Sequence, residues 1–440
     1  MKDISGNYKE IFADPNHWAE HRALVHDVEH GMGDIVSIKT PGQLFDSGGP
    51  GIGSAVSREM EMEFFPKGDV PVACVIKLET RIASMNEQTG ETIWSTWIPM
   101  GTFFIDSRSY DETGEVLKVH CYDAMLKTEY VYLDKHLDQD NAGSWPMSAR
   151  SLYETISSDI GVVGSMSVIQ SIPATWKVPY PGNSTARDLL RQLAVALGGN
   201  FVVNDYGLLD CKVLKKSSAV AQDLGLNVGA LERGVDSAPF TCVRITGVQG
   251  KDETEYTAGD DSGLTIEAEC SWGSQEIANS VLYKISGWSY RPYTASEALL
   301  EPAVELGDTV MINGWTSMVA KLERNFDKML DAKVSAPDDE ELNHEYPYIY
   351  TGYKGNHELK AIEQEVEKVN NDLNEFKKSI ASLSTYRTVK LDFSNFVNGS
   401  FTETLENSDD PTITYNVEFD GSGRPVKLTC SDGHTLDITW

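Results

Sequence analysis

Between residues 35 and 132, apolar and polar positions alternate with a period of two, in short runs separated by turn residues. The clearest are MEMEFF (Met60–Phe65), VACVIKLET (Val72–Thr80), TFFIDSRSY (Thr102–Tyr110) and VLKVHCYD (Val116–Asp123). Successive side chains of a strand point to opposite faces, so the pattern predicts antiparallel strands of a barrel or sandwich, each with one buried face. DETGE (Asp111–Glu115), short, polar and carrying Gly114, joins the last two runs as a hairpin.

At Ser148 the period becomes helical. In SARSLYETISSDIG, Leu152, Ile156 and Ile160 fall on one face, and Gly161 can close the C-terminus. Asn183 to Gly199 repeats the theme: Ser184 or Thr185 is the cap, Leu189, Leu190, Leu193, Val195 and Leu197 form the buried face, and Gly198 and Gly199 are the stop. NFVVNDYGLLDCKVL then reads as a hairpin about Asn204–Gly207. A second β-rich stretch runs from about Phe240 to Phe326, followed by a polar connection.

From Leu359 the pattern changes once more. Leu359, Ile362, Val366, Val369, Leu373, Phe376, Ile380 and Leu383 step by three and four residues in strict alternation, a four-heptad coiled-coil seam. No second such segment exists in the chain, so the seam predicts burial against other copies, and its mix of branched and aromatic residues suits three strands. The last 55 or so residues alternate again, with Gly421–Gly423 as a turn.

The expected fold is therefore mainly β with an α/β insert: two β-barrel-like domains, a trimeric coiled-coil stalk and a small C-terminal β tip. The divisions are 1–145 for the N-terminal segment and first barrel, 146–235 for the insert and 236–332 for the second barrel. A linker at 333–356, the coiled coil at 357–385 and the tip at 386–440 complete the chain.

Composition narrows the function. An apolar content of 40% is ample for packed cores, and no apolar run reaches the roughly 18 residues that span a bilayer. The N-terminal MKDISGNYKE lacks the apolar stretch of a secretory signal, which predicts assembly in the cytoplasm and no stable membrane insertion. Six cysteines stand singly with no C-x-x-C pair, so buried free thiols are expected. With 37 basic against 67 acidic residues and a net charge of −30, the chain does not offer a nucleic-acid-binding surface. The acid is either a solvated exterior or the lining of a conduit along which a polyanion slides without sticking.

Several strings look catalytic. DSGGP (Asp46–Pro50) matches the nucleophile loop of trypsin-like proteases, but only 46 residues precede Ser47, too few to place the other triad members upstream. GGPGIGS lacks the lysine of a phosphate loop. Two H-x-x-E-H strings follow each other, HWAEH (His17, Glu20, His21) and HDVEH (His26, Glu29, His30). On a helix, either pair of histidines would share a face and hold zinc with the glutamate as general base. Asp14 and Pro15 make a helix start for the first, whereas the second reads as a strand, which would separate its histidines by about 13 Å. With no third ligand identified, His17, Glu20 and His21 are the only metal candidates, and neither a cofactor nor a catalytic residue is assigned. Trp288, Tyr290, Tyr293 and Trp315 suit core or inter-subunit contacts better than sugar stacking. His434 and Cys430 lie four apart in a β-pattern and read as structural.

Taken in order, IKTPGQLFDSGGPGIGSAVSREMEMEF, WIPMGTFFIDSRSYDETGEVLKVHCYDAMLKTE, the paired helices MSARSLYETISSDIG and STARDLLRQLAVALGGNFVVNDYGLL, and ELGDTVMING resemble the tail-tip or baseplate hub proteins of tailed phages and prophages of Gram-positive hosts. The resemblance covers about Met1 to Phe326. It implies a homotrimeric ring at the end of the tail tube, with two similar barrels per chain giving pseudo-sixfold symmetry and a lumen for DNA in transit. The implied partners are tail-tube or distal tail proteins, a tape-measure protein inside the ring, and the host surface through the C-terminal tip. The implied location is the virion tail. A receptor-binding adhesin and a tail-associated cell-wall peptidase are the competing classes. Many relatives continue into a cell-wall hydrolase domain, whereas the segment after Leu383 offers no such residue set.

Overall fold

The computed structural model describes residues 4, 6–46, 49–86, 88–140, 143–215, 219–225, 227–249, 252–326, 330–336, 400–403, 415–422, 424–430, 433 and 435–437. The chain divides into two units, residues 1–351 and 352–440. The heptad positions Leu359 to Leu383 lie outside the described residues, as does Ser47.

The first unit is mainly β, and its principal sheet curls into a half-barrel. Eight strands come from the N-terminal region: β1 (Trp18–Val25), β2 (Val28–His30), β3 (Ile35–Gln43), β4 (Glu59–Phe64), β5 (Val75–Met85), β6 (Thr92–Trp94), β7 (Ile98–Tyr110) and β8 (Leu117–Tyr122). The period-two runs appear as strands, except that VACVIKLET is a strand only from Val75, with Val72 and Ala73 in a turn, and DETGE joins β7 to β8 as a hairpin. Met60, Met62 and Phe64 of β4 are buried while their glutamate neighbours face outward.

The expectation of two separate barrels is not met. Strands Val228–Arg233, Tyr293–Leu299, Asp331–Ala336 and Lys321–Asn325 continue the same twelve-stranded sheet, in the order just given, into β3, β4, β8, β7, β5, β1 and β2, with β6 beside β5. The junction is β3, whose first half pairs with β4 (Lys39 opposite Glu61) and whose second half pairs with Lys321–Asn325 (Gln43 opposite Lys321). Periodicity tells which face of a strand is buried but not which strand is its neighbour. Residues 333–336, expected in a linker, end the strand Asp331–Ala336. Strands Phe240–Gln249, Asp252–Gly259 and Leu264–Glu269 leave the large sheet and form a three-stranded sheet packed with helix Gln275–Ile285.

The insert follows its sequence closely. Helix Ala149–Asp159 buries Leu152 and Ile156, and helix Ala186–Leu197 buries all five leucine and valine positions expected. Thr185 is the cap: its Oγ1 accepts from Asp188 N at 3.1 Å while Asp188 Oδ2 accepts from Thr185 N at 2.9 Å, a reciprocal capping box. Gly198 ends the helix at φ +72°, a conformation that favours glycine. The hairpin Gly199–Val203 and Leu208–Val213 turns about Asn204–Gly207.

Two hydrophobic cores result. One fills the half-barrel around Ile38, Met60, Phe64, Ile76, Leu78 and Phe103 and is closed by Tyr8, Ile11 and Phe326. The other unites the insert with the strands and helix that follow it. Cys74, Cys121, Cys211, Cys242 and Cys270 are free thiols, and burial pushes Cys121 and Cys270 up to about 12.

In the second unit, strands Ser400–Glu403, Tyr415–Phe419, Pro425–Cys430 and Thr435–Asp437 form an antiparallel sheet in sequence order. Asp420 Oδ1 accepts from Ser422 N at 2.8 Å and Arg424 N at 2.9 Å, fixing the turn at the predicted glycines.

Candidate functional site

HWAEH does not form the helix expected of it. Helix Tyr8–Phe12 ends upstream, Asp14 to His17 make a turn (His17 N to Asp14 O, 3.1 Å), and Trp18 to His21 are extended in β1. At about 3.3 Å per residue, His17 and His21 stand roughly 13 Å apart. His21 is buried, with Nδ1 2.8 Å from Thr80 Oγ1 and its ring edge-on to Phe326. Glu20 lies on the opposite face, accepting from Arg81 Nη2 at 2.6 Å. These three residues do not converge on a common point.

HDVEH is a hairpin rather than one strand. His26 and Asp27, at φ +49° and +62°, form the two-residue turn between β1 and β2. His30 caps the sheet end, its ring edge-on to Phe64 and its Nε2 accepting from Lys67 N at 3.2 Å, and burial holds its pKa below the ordinary value. No metal-holding group of three His, Cys, Asp or Glu exists among the described residues. Phe240, Trp288 and Tyr290 stack in series within the core, 5.3 Å between successive rings, and Tyr293 is buried beside Trp315. The segment after Phe45 is tied to the insert, with Asp46 accepting from Ser54 Oγ at 2.8 Å and Arg191 Nη2 at 2.9 Å.

The chemistry that does converge is a layer of charge between the two cores. Arg58, just before β4, bonds Asp205 in the insert hairpin turn and lies 3.5 Å from Asp123, which begins the link from β8 into the insert. Asp205 N donates to Glu305 Oε1 at 3.2 Å, and Lys212 Nζ lies 3.5 Å from both Glu305 and Asp210. Arg324 closes the layer from the sheet, donating to Val304 O at 2.7 Å and Glu301 O at 3.0 Å. A narrow cleft of about 20 Å³, room for little more than a water molecule, opens between Arg58, Asn204, Lys212, Glu305 and Arg324. Gly101, at φ +130°, leaves room here: a Cβ would stand 2.7 Å from the Phe103 ring and 3.1 Å from the Arg58 guanidinium.

Burial opposes the Arg58 charge, but Asp205, Asp123 and Glu305 outweigh it and hold the guanidinium more firmly protonated. Burial likewise opposes Lys212, and Glu305, Asp210 and Asp308 outweigh it. Arg324, with carbonyls for its nearest partners, is lowered to about 10 by burial. Asp123 is pushed up to about 6, because burial exceeds the pull of an arginine it shares with the closer Asp205. Such a layer fixes geometry more than it adds stability, since desolvation offsets most of the Coulomb gain. None of these residues stands out in the sequence: they are single charges at strand ends and turns, far apart in the chain.

Asp123 carries a pH signature. A carboxyl whose folded pKa is raised from 3.8 to about 6 adds stability that is full below the unfolded value and lost as pH rises through 6. In Asp123→Asn the amide oxygen can still accept from Met125 N, now 3.0 Å from Asp123 Oδ1, while the titration is gone. Between pH 4 and pH 8 the stability gap is expected to move toward the variant by up to about 3 kcal/mol. Denaturant midpoints across that range check it, and a constant gap refutes it.

No known family profile and no curated protein matches the chain. Among solved structures it is similar to the tail protein from Neisseria meningitidis MC58, at 11% identity over 73% of this chain and 97% of that one, with a TM-score of 0.47. It is similar also to the 43 kDa tail protein of prophage MuSo2 from Shewanella oneidensis, at 12% identity over 72% and 98%, TM-score 0.43. A third is prophage tail protein gp18 from Listeria monocytogenes EGD-e, at 11% identity over 73% and 96%, TM-score 0.42.

Proposed function

We propose that this chain is a structural component of a phage or prophage tail: a tail-tip or baseplate hub, three copies of which form a ring that continues or closes the tail tube. The observation that carries this reading is the large sheet. Drawn from both sides of the insert, it is curled but unclosed, with a core on one face and a polar opposite face. That is the shape of a wall segment rather than of a pocket. The order of segments in the sequence, which resembles the hub proteins, supports the same reading.

On the polar face, acids are matched by bases across strands. Arg22 stands 2.6 Å from Glu79, Arg81 2.6 Å from Glu20, Lys118 2.9 Å from Glu63 and His120 3.0 Å from Glu59. Were this face the lumen, it would offer a passing polyanion few unpaired cations to grip. DNA is then a traveller and not a ligand. The partners on this reading are tail-tube or distal tail proteins along the axis, a tape-measure protein within the ring and the host surface at the C-terminal sheet. Non-enzymatic action is part of the proposal. No helix among the described residues is long and apolar enough to cross a membrane.

The test is the absolute mass in solution of the full chain and of a version ending near Gly355. A full-length trimer that becomes monomeric on truncation is the expected result. A monomer in both cases would remove the threefold and return the adhesin and peptidase readings to the front.

A further inference from the structure

One end of the half-barrel carries an apolar surface that remains exposed among the described residues. Of the fifteen large apolar side chains exposed among the described residues, six belong to it: Val28, Met32, Val36, Phe65, Val72 and Tyr110. The strand register brings them to one rim. Ile35 at the start of β3 lies opposite Phe64 at the end of β4, Phe64 opposite Leu117, and Leu117 opposite Tyr110. The start of β5 pairs with β7 and with the end of β1, which places the 65–74 connection and the β1–β2 turn at the same end.

The rim is held rigid. Arg108 donates to the carbonyls of Val70 and Pro71, both at 2.7 Å, and so braces the connection that bears Val72. Ala73 beside it sits at φ +54°, a conformation costly for alanine, and Val72 is left 90% exposed. Phe65 N donates to Asp34 O at 2.8 Å, and Lys67 Nζ, 2.6 Å from Asp34, also donates to Glu29 O. The hairpin tip is fixed by Asp111, whose Oδ1 accepts from Glu115 N and Val116 N, both at 3.1 Å. Monomeric proteins seldom hold an apolar cluster rigidly in water unless something docks on it.

Charge selects the occupant. The three segments that build the rim, residues 26–36, 65–74 and 105–116, hold eight acidic residues against Lys67 and Arg108, and Lys77 and Arg22 from the adjoining strands pair with Asp27 and Glu29, which leaves acid in excess, eight against four. Lys67 and Arg108 are spent on bracing. Set rim to rim, two copies of this chain would bring acid against acid, a poor match. We infer that the rim docks a different protein, whose surface offers apolar pockets framed by lysine and arginine. Resting on the tail reading above, that partner is a neighbouring tail component on the barrel side of the ring.

The experiment uses the full chain and the tail proteins encoded beside it, each purified singly and titrated against it at 50 and 300 mM salt. One of them is expected to bind, more weakly at high salt, and the double variant Phe65→Asp, Val72→Asp should lose about 30-fold or more in affinity. Arg108→Ala, which removes no apolar contact, should weaken binding through loss of bracing. Unfolding midpoints of both variants serve as the folding check, and because both positions are exposed they should stay near the parent's. Binding that survives the double variant, or that is indifferent to salt, overturns the rim inference and leaves the tail reading intact. A drop in the chain's own oligomeric mass on substitution shows the occupant to be a second copy and also overturns it. Failure to bind any of the tail proteins overturns the tail reading, and the inference with it.

Discussion

Arg58→Met is expected to destabilise the first unit by about 3–5 kcal/mol, as removal of one partner from a buried charge cluster does. The side chain spans three parts of the fold: the start of β4, the beginning of the β8-to-insert link at Asp123, and the insert hairpin at Asp205. Without it, the buried carboxylates Asp123 and Asp205 lose the cation they share, and Asp205 is left with its coupling to Arg324. The loss should therefore be larger at pH 8 than at pH 5, where protonation relieves the repulsion. Adding Asp205→Asn to Arg58→Met should recover part of the stability, because the uncompensated charge, rather than the missing contact, is the main cost. Denaturant unfolding of the single and double variants at the two pH values is the measurement. A loss under about 1 kcal/mol, or no recovery in the double variant, would mean that the layer is solvated and of little structural consequence.

That layer also marks the limit of what the sequence discloses. The period-two runs locate β4, β5, β7 and β8, and the Thr185 cap and Gly198 stop bound their helix to within a residue or two. These are local signals, read from neighbours in the chain. Strand pairing is not local: nothing near Lys39 or Gln43 announces that β3 will change partners half-way along. The same holds for the charge layer, whose members Arg58, Asp123, Asp205, Lys212, Glu305 and Arg324 are brought together only by long-range contacts. Conversely, HWAEH is conspicuous only at helical spacing. His21 is buried by alternation in β1, the position of a core residue, and a strand gives its spacing no chelating meaning. The exposed rim is hidden for a third reason: Val72 and Tyr110 sit inside good strand patterns, yet Val72 falls in a turn before β5 and Tyr110 at the last pair of β7, which leaves both bare.

A single aspartate in the heptad seam, Leu373→Asp, is expected to abolish the proposed trimer of the full chain at micromolar concentration. Leu373 is the third a-type position, flanked by d-type Val369 and Phe376, so it lies near the middle of a four-heptad seam with the least scope for fraying. In a threefold helix bundle one substitution becomes three carboxylates around the axis. Each must lose most of its hydration or be protonated, and like charges this close oppose one another. The cost is several kcal/mol per trimer against a four-heptad coil with little to spare, whereas Leu373→Ile, which keeps volume and apolarity, should leave the mass unchanged. Acidification toward pH 4 should restore association of the aspartate variant, since neutral carboxyls no longer repel. Light scattering or equilibrium sedimentation of the three proteins decides the matter. A trimer that survives Leu373→Asp at pH 8 would place the threefold in the first unit, with ring contacts alone sufficient to hold it. A monomeric parent would dismiss the seam as an oligomerisation element altogether.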